Sequence, residues 1–408
     1  MNTKNLVIFS YNYPFGLGET FLSSELEYLA KDFNSIHVLP LFYGNSKIAR
    51  QVPPNVSFSN PLIIEDPKKE RIRFFLQGTF AFSPFRFAIK ALFSQKIYRS
   101  KVKLRKWLSE TLIIRNILRV KKSKHFFTYI KQDTIIYFYW GDKSSGIVPF
   151  IRKRTDIPIV VRFHGSDLYE EVNGGHPFRD RLLMNLDYAV FISEMGYNYI
   201  VNRYPFIKKK CVIYKLGVFE KGISTSSNDG CLRLVSCSNA ISIKRVDLIF
   251  KALFYLPFPV VWTHIGDGYL IEKIKSKVHE LPSNVKINLL GYLKNSDVSD
   301  FYSSEPVDLF LNVSLSEGLP VSIMEAFSFG IPAIATDVGG TSEIVNSSNG
   351  FLITAQLSEQ ILAETITKFN DLNIEVKNQM RYNARDMWAR EYDAGNNFKA
   401  ISGFLQSL

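Results

Sequence analysis

Short apolar runs, each followed by a stretch with helical spacing, recur along the chain, and this alternation constrains the fold more than any other feature. Leu6–Phe9, Ile36–Leu41, Thr134–Tyr139, Ile159–Phe163, Tyr188–Ile192 and Val212–Tyr214 are too short for helices. Their largely apolar character suits strands buried on both faces. Thr20–Phe33 is the helical stretch after the first. Gly222-Ile-Ser-Thr-Ser-Ser-Asn-Asp-Gly230, the most linker-like segment, then interrupts the pattern. The alternation restarts with strands at Leu232–Ser236, Val260–Ile265, Val285–Leu289, Leu309–Asn312 and Ile331–Thr336, and helices at Val246–Leu256 and Val321–Phe329. Two successive β/α series predict an α/β protein with two doubly wound parallel sheets facing across a cleft, ligands lying at the carboxyl ends of the strands. The expected division is 1–220, 221–385 and a C-terminal segment, 386–408.

Several classes are excluded at once. At 408 residues the chain has room for two such units, and 22% charged residues against 46% hydrophobic ones is a globular composition, not a disordered one. No apolar run approaches the roughly 20 residues that span a bilayer. Leu6–Phe9 is too short for a signal-peptide core. The three cysteines, Cys211, Cys231 and Cys237, form no CxxC, so neither a disulfide framework nor a thiolate metal site is indicated. A cytoplasmic protein is the economical reading.

The net charge of +12 is concentrated in one place. Residues 71–131 carry 16 Lys and Arg against one acid, Glu110, which leaves the rest of the chain at −3. Phe74, Phe75, Phe80, Phe82, Phe85, Phe87, Phe93, Trp107, Phe126 and Phe127 are interleaved with the cations, and Phe85–Val120 reads as helical. Solvated helix faces over an aromatic core would produce this pattern. So would a surface resting on an anionic membrane, where cations meet phosphates and aromatic rings enter the interface. The membrane reading is preferred; nucleic acid is not expected, since no recognition signature accompanies the charge.

The densest signal is Ser316-Glu-Gly-Leu-Pro-Val-Ser-Ile-Met-Glu-Ala-Phe-Ser-Phe-Gly-Ile-Pro-Ala-Ile-Ala-Thr-Asp-Val-Gly-Gly340. A strand ends in a loop bearing Glu317 and Gly318, and Pro320 suits the first turn of the helix that follows. The helix N-terminus, with free N–H groups and partial positive charge, is a natural seat for a diphosphate. At about 1.5 Å rise per residue, Glu317 and Glu325 fall on the order of 10 Å apart. A retaining hydrolase holds its two carboxyls about 5 Å apart. The wider spacing lets one carboxylate address a sugar and the other a ribose.

These residues resemble the E-x7-E signature of the retaining glycosyltransferases of family 4, the group 1 transferases of the GT-B fold with its two Rossmann-like domains. The resemblance implies a nucleotide-sugar donor bound by the second domain and an acceptor bound by the first. It places Glu325 on the donor ribose and Glu317 on the transferred sugar, with Gly318 and Leu319 lining the sugar and phosphate site. Ser238-Asn-Ala-Ile-Ser-Ile-Lys-Arg245 matches a loop in which an arginine and, five residues later, a lysine grip the diphosphate. Lys244 fits the lysine, Asn239 stands where the arginine is expected, and Arg245 is the candidate replacement for its charge.

Val161-Arg-Phe-His-Gly-Ser-Asp167 resembles a loop whose histidine contacts the donor sugar, which makes His164 a catalytic candidate and Asp167 a loop-ordering residue. Tyr13-Pro-Phe-Gly-Leu-Gly-Glu-Thr20 resembles the loop that closes over the phosphates, through Gly16 and Gly18; Glu19 belongs either to that function or to the helix start. Gly266-Asp-Gly268 and Gly291-Tyr-Leu293 match donor-domain loops, so Gly266, Tyr292 and Leu293 join the binding set. The segment from Met387 resembles a tail whose helix returns to the first domain.

No D-x-D occurs in the sequence, so no metal and no cofactor are expected beyond the nucleotide-sugar substrate. The resemblance implies a retaining transfer onto a glycan or lipid-linked acceptor in bacterial surface polysaccharide synthesis (lipopolysaccharide, capsule or exopolysaccharide). The expected location is the cytoplasm, on the inner face of the membrane. An epimerase or a pyridoxal-dependent phosphorylase of the same fold is not suggested by these loops. The alternative of another class is an inactive nucleotide-sugar-binding scaffold, for which Asn239 is the argument.

Overall fold

A computed structural model describes residues 4–16, 18–44, 46–63, 82–119, 129–130, 132–171 and 175–408, with the side chains of 82–86 and 119 excepted. Of the basic segment, 71–81, 120–128 and 131 lie outside the described residues, and Phe74, Phe75, Phe80, Phe126 and Phe127 with them. The chain divides into two units, Met1–Tyr214 with Phe398–Leu408, and Lys215–Asn397.

The first unit is built on β1 (Asn5–Ser10), β2 (Ser35–Pro40), β3 (Val56–Phe58), β4 (Thr134–Phe138), β5 (Ile159–Phe163), β6 (Tyr188–Phe191) and β7 (Cys211–Ile213). All pair in parallel, in the order β3-β2-β1-β4-β5-β6-β7. The expected strands are present; β3, only three residues long, was not legible. Helix α1 (Thr20–Asp32) follows β1 and buries Leu22, Leu26 and Leu29, the i, i+4, i+7 face that the sheet requires. Within this core the Arg162 guanidinium of β5 pairs with Glu25 of α1, both side chains fully buried, and also donates to the Tyr137 hydroxyl at 3.2 Å and the Tyr214 carbonyl at 3.1 Å.

The helix expected over 85–120 is two helices, α2 (Phe82–Ser94) and α3 (Lys101–Arg119), separated by a tight turn at Ile97–Arg99. Lys96, in the left-handed region at φ 51, breaks the run. The interleaved aromatics sort between core and surface. Phe87 and Trp107 are buried, the indole donating to the Ala88 carbonyl at 2.9 Å, so Trp107 is not an interfacial ring. Phe93 and Tyr98 are exposed. No described helix is long and apolar enough to cross a membrane.

The second unit holds β8 (Leu232–Cys237), β9 (Val260–Ile265), β10 (Val285–Gly291), β11 (Leu309–Asn312), β12 (Ala333–Thr336) and β13 (Gly350–Ile353), parallel in the order β10-β9-β8-β11-β12-β13. Their carboxyl ends therefore lie along one edge. The stretch 222–230 does not hang free as a linker. Ser227 donates its amide and hydroxyl to Asp308 at 2.8 and 2.7 Å, and Arg381 reaches the carbonyls of Ser224 and Val307. The second unit begins at Lys215, before the expected 221, because Lys215 pairs with Glu391 at 2.8 Å, Val218 N donates to the Tyr392 carbonyl at 3.0 Å and Glu220 pairs with Arg385. After a turn at Trp388–Tyr392, the last helix, α12 (Ala394–Ser407), brings Ile401 and Leu405 into the first unit's core.

Candidate functional site

In each sheet the chain reverses direction of growth at one point, between β1 and β4 and between β8 and β11. Loops at such a switch point splay apart and open a ligand crevice. In the second unit these loops carry the E-x7-E residues and the Lys-Arg pair. The Lys244 ammonium donates to Glu317 Oε1 at 2.5 Å, and Asn312 Nδ2, at the end of β11, approaches the same oxygen at 3.3 Å.

The turn bearing Glu317 is held from beneath. Gly340 N donates to the Gly318 carbonyl at 2.7 Å, and a Cβ on Gly339 (φ 55) would stand 1.8 Å from the Glu317 carbonyl oxygen. The Val-Gly-Gly of the motif is therefore a requirement for close backbone approach. Leu319 is buried. Pro320 is the residue before helix α9 (Val321–Ser328), one position earlier than expected. Ile323 N and Met324 N donate to the Pro320 carbonyl at 3.1 and 3.4 Å, which leaves the Val321 and Ser322 amides of α9 without helical acceptors.

Arg245 is in the left-handed region (φ 50), immediately before helix α6 (Val246–Ala252). Its Nε donates to the Val313 carbonyl at 2.6 Å and Nη1 to the Ala355 carbonyl at 2.8 Å, bracing the β11 and β13 loops. Only Nη2, buried and without a partner among the described residues, remains for a ligand. Asn239 is exposed. A Cβ on Gly266 would stand 1.9 Å from the Ser238 carbonyl oxygen, so the β9 loop packs directly on the β8 loop. Beyond β10, Leu293 is partly buried and the Tyr292 ring is 65% exposed.

Against the opposing charge of Lys221, burial pushes the carboxyl of Glu325, on α9, up to about 7. Its charge is felt by the thiol of Cys237, at the end of β8, and by the Tyr302 hydroxyl, which is buried without a partner among the described residues.

In the first unit, the loops after β1, β4 and β5 meet at the carboxyl edge. Gly16 (φ 77) and Gly18 form a loop whose carbonyls both accept from Arg50, Gly16 O at 2.7 Å. Asp167 orders its neighbours: Oδ1 accepts from His164 N and Oδ2 from Gly141 N, each at 2.7 Å. The His164 imidazole is nearly buried, with neither ring nitrogen hydrogen-bonded among the described residues. Deeper in this unit Glu110, Asp142 and His176 bring ligand atoms within 4.8 Å of one another. Lys106 already supplies the countercharge, 3.3 Å from Glu110 and 3.7 Å from Asp142. Burial raises both carboxyls, Glu110 to about 7, and lowers His176, which stays neutral.

Sequence reasoning did not single out Trp140 or Arg50, left Glu19 open, and missed Lys221. None lies in a motif of its own; each becomes visible through its contacts.

Two parallel α/β units, one carrying a lysine-paired glutamate ahead of a helix N-terminus and a second glutamate on that helix, make a two-domain Rossmann-like fold of the GT-B type. The family described as glycosyl transferases group 1 matches residues 224–387 of this chain, within the second unit. The putative teichuronic acid biosynthesis glycosyltransferase TuaC of Bacillus subtilis is 32% identical over 144 residues, 35% of this chain and 34% of that protein. The O-antigen biosynthesis glycosyltransferase WbnH of Escherichia coli is 37% identical over 89 residues, 22% of this chain and 24% of that protein. These alignments thus span about a third and a quarter of the relatives' lengths. Among solved structures, the lipopolysaccharide outer core galactosyltransferase WaaB superposes with a TM-score of 0.69 at 17% identity, and Anabaena HepE in complex with UDP with 0.66 at 16%. Both superpositions cover the full length of both chains and show the common fold.

Proposed function

We propose that the protein is a retaining glycosyltransferase that moves a sugar from a nucleotide-diphosphate sugar to an acceptor hydroxyl without a metal ion. The observation that carries this reading is the Lys244–Glu317 pair beside the start of α9. A fixed ammonium and free helix amides stabilise the charge that develops on a departing diphosphate. In this reading Glu317 accepts from hydroxyls of the transferred sugar, Glu325 from the ribose, and His164 is a sugar-contacting residue. Anabaena HepE, solved with UDP-glucose, supports a donor of this class through the shared fold. The bond from the anomeric carbon to the leaving phosphate oxygen breaks while the acceptor oxygen attacks the same face. The acceptor's proton passes to that phosphate oxygen, giving glycoside and nucleoside diphosphate.

The acceptor in this proposal is a lipid-linked glycan of bacterial surface polysaccharide synthesis, a reading supported by the similarity to TuaC of teichuronic acid biosynthesis and WbnH of O-antigen biosynthesis. The protein would meet it peripherally, at the inner face of the membrane. Along α2 and α3 the side chains of Phe93 (64%), Val102 (58%) and Tyr98 (50%) are exposed. Lys90, Lys96, Arg99, Lys101, Lys103 and Arg105 lie in the same stretch, unpaired with any carboxylate among the described residues. Apolar prongs ringed by cations suit anionic headgroups. Phosphatidylglycerol vesicles should bind the protein and salt should release it; equal binding to neutral phosphatidylcholine vesicles would refute the electrostatic part.

Transfer of radiolabel from a panel of nucleotide sugars into lipid extracts tests the whole proposal. A labelled lipid product is expected. Donor binding without product would return the scaffold reading.

A further inference from the structure

Glu19 stands immediately before α1, where an acidic side chain ordinarily caps its own helix. It does not do so. Its backbone is in the left-handed region (φ 55), and its side chain makes no capping bond to α1. For a residue other than glycine this conformation costs on the order of 1 kcal/mol and persists where surrounding contacts impose it.

The contacts are four hydrogen bonds to one carboxylate. Oε1 accepts from Tyr11 N at 2.9 Å and Trp140 Nε1 at 2.7 Å; Oε2 accepts from Asn12 N and Tyr13 N, each at 2.7 Å. Charge-assisted bonds of this kind are roughly twice as strong as neutral ones. The carboxylate thus ties the loop after β1 to the indole that follows β4. The same indole is stacked on the Tyr11 ring, centroids 4.9 Å apart at 5°.

Trp140 in turn lies against His164, ring centroids 4.3 Å apart at 38°. No hydrogen bond among the described residues orients the imidazole: Asp167 Oδ2 is 3.8 Å from Nδ1. Asp167 holds the backbone of His164, but the plane of the ring is set by packing against Trp140 and, at 5.2 Å, Tyr139. An imidazole whose two buried nitrogens make no hydrogen bond among the described residues is aimed by its neighbours' shape, and here the neighbour is itself aimed by a carboxylate.

We propose that Glu19 is the positioning residue for His164, acting through the Trp140 indole. Its place in catalysis rests on the role proposed for His164; the structural relay does not.

The test separates the two. In full-length protein labelled with 15N at Trp and His side chains, Trp140→Phe and His164→Asn assign the two signals. In Glu19→Gln, which keeps one acceptor oxygen, the Trp140 indole N–H should move upfield and the His164 ring resonances should shift with it. In Glu19→Ala both should move further. If the indole moves and His164 does not, or if neither moves, the relay is refuted whatever the reaction. Where the donor panel yields turnover, Glu19→Gln should lower kcat by about tenfold or more with donor KM changed less than about threefold. A shifted His164 signal with kcat unchanged would instead refute the catalytic role of His164 and leave the relay standing.

Discussion

Lys244 and Glu317, 73 residues apart in sequence, are joined by a 2.5 Å ion pair between the loops after β8 and β11. The ammonium that would meet a donor diphosphate is therefore engaged before any donor arrives. Both side chains are partly buried, which makes the loss of one partner more costly than at the surface.

This pairing predicts opposite effects from its two ends. Lys244→Met should weaken UDP binding by about ten- to hundredfold, the loss of a charge-assisted contact. Glu317→Gln releases the ammonium and should leave UDP binding unchanged or tighter while abolishing most sugar transfer. Calorimetry with UDP decides it: equal weakening in both variants would mean that Lys244 does not face the phosphates.

Glu325 predicts a pH dependence. A carboxylate accepts hydroxyl hydrogen bonds better than its acid, and burial holds this carboxyl up at about 7 in the free protein. UDP-glucose, whose diphosphate does not titrate near neutrality, should bind about tenfold more tightly at about pH 8 than at about pH 6, and Glu325→Gln should flatten the profile. The same upward shift, from an ordinary 4.5, works against the fold once the group ionises. Its contribution to stability is present below about pH 4.5 and is lost as pH rises through about 7, so the glutamine variant should gain stability relative to wild type above that. Denaturant midpoints of the two proteins that ran parallel across this window would contradict the assignment.

The buried Glu25–Arg162 pair predicts a stability effect without a change in site chemistry. Glu25→Ala leaves a guanidinium without its countercharge in the core and should cost about 3–5 kcal/mol, read from urea unfolding. A midpoint within error of wild type would show the guanidinium reaching water.

Leu405, fully buried in the first unit, anchors the final helix. Leu405→Ala should destabilise by about 2–5 kcal/mol, the range for emptying a buried leucine site. Proteolysis confined to the last turns at native midpoint would argue instead that this helix docks too weakly to matter.

The α/β class and most strands were legible because parallel strands buried on both faces are written as continuous apolar runs. Their spacing also gave the order of elements, and the E-x7-E stretch supplied its own helix start, its glycines and both glutamates. Three things were not legible, each for the same reason. The splitting of the 85–120 helix turns on the left-handed backbone of Lys96. The sorting of Trp107 inward and Phe93 outward depends on which face meets the sheet. The engagement of Glu19 with Trp140 spans 121 residues. Local sequence specifies backbone propensity and periodic burial, which act between neighbours along the chain; it does not specify which distant groups meet when strands take their places in a sheet. The order in which the strands lie brought β1 beside β4 and β8 beside β11, and only that placement turned scattered charged and aromatic residues into sites.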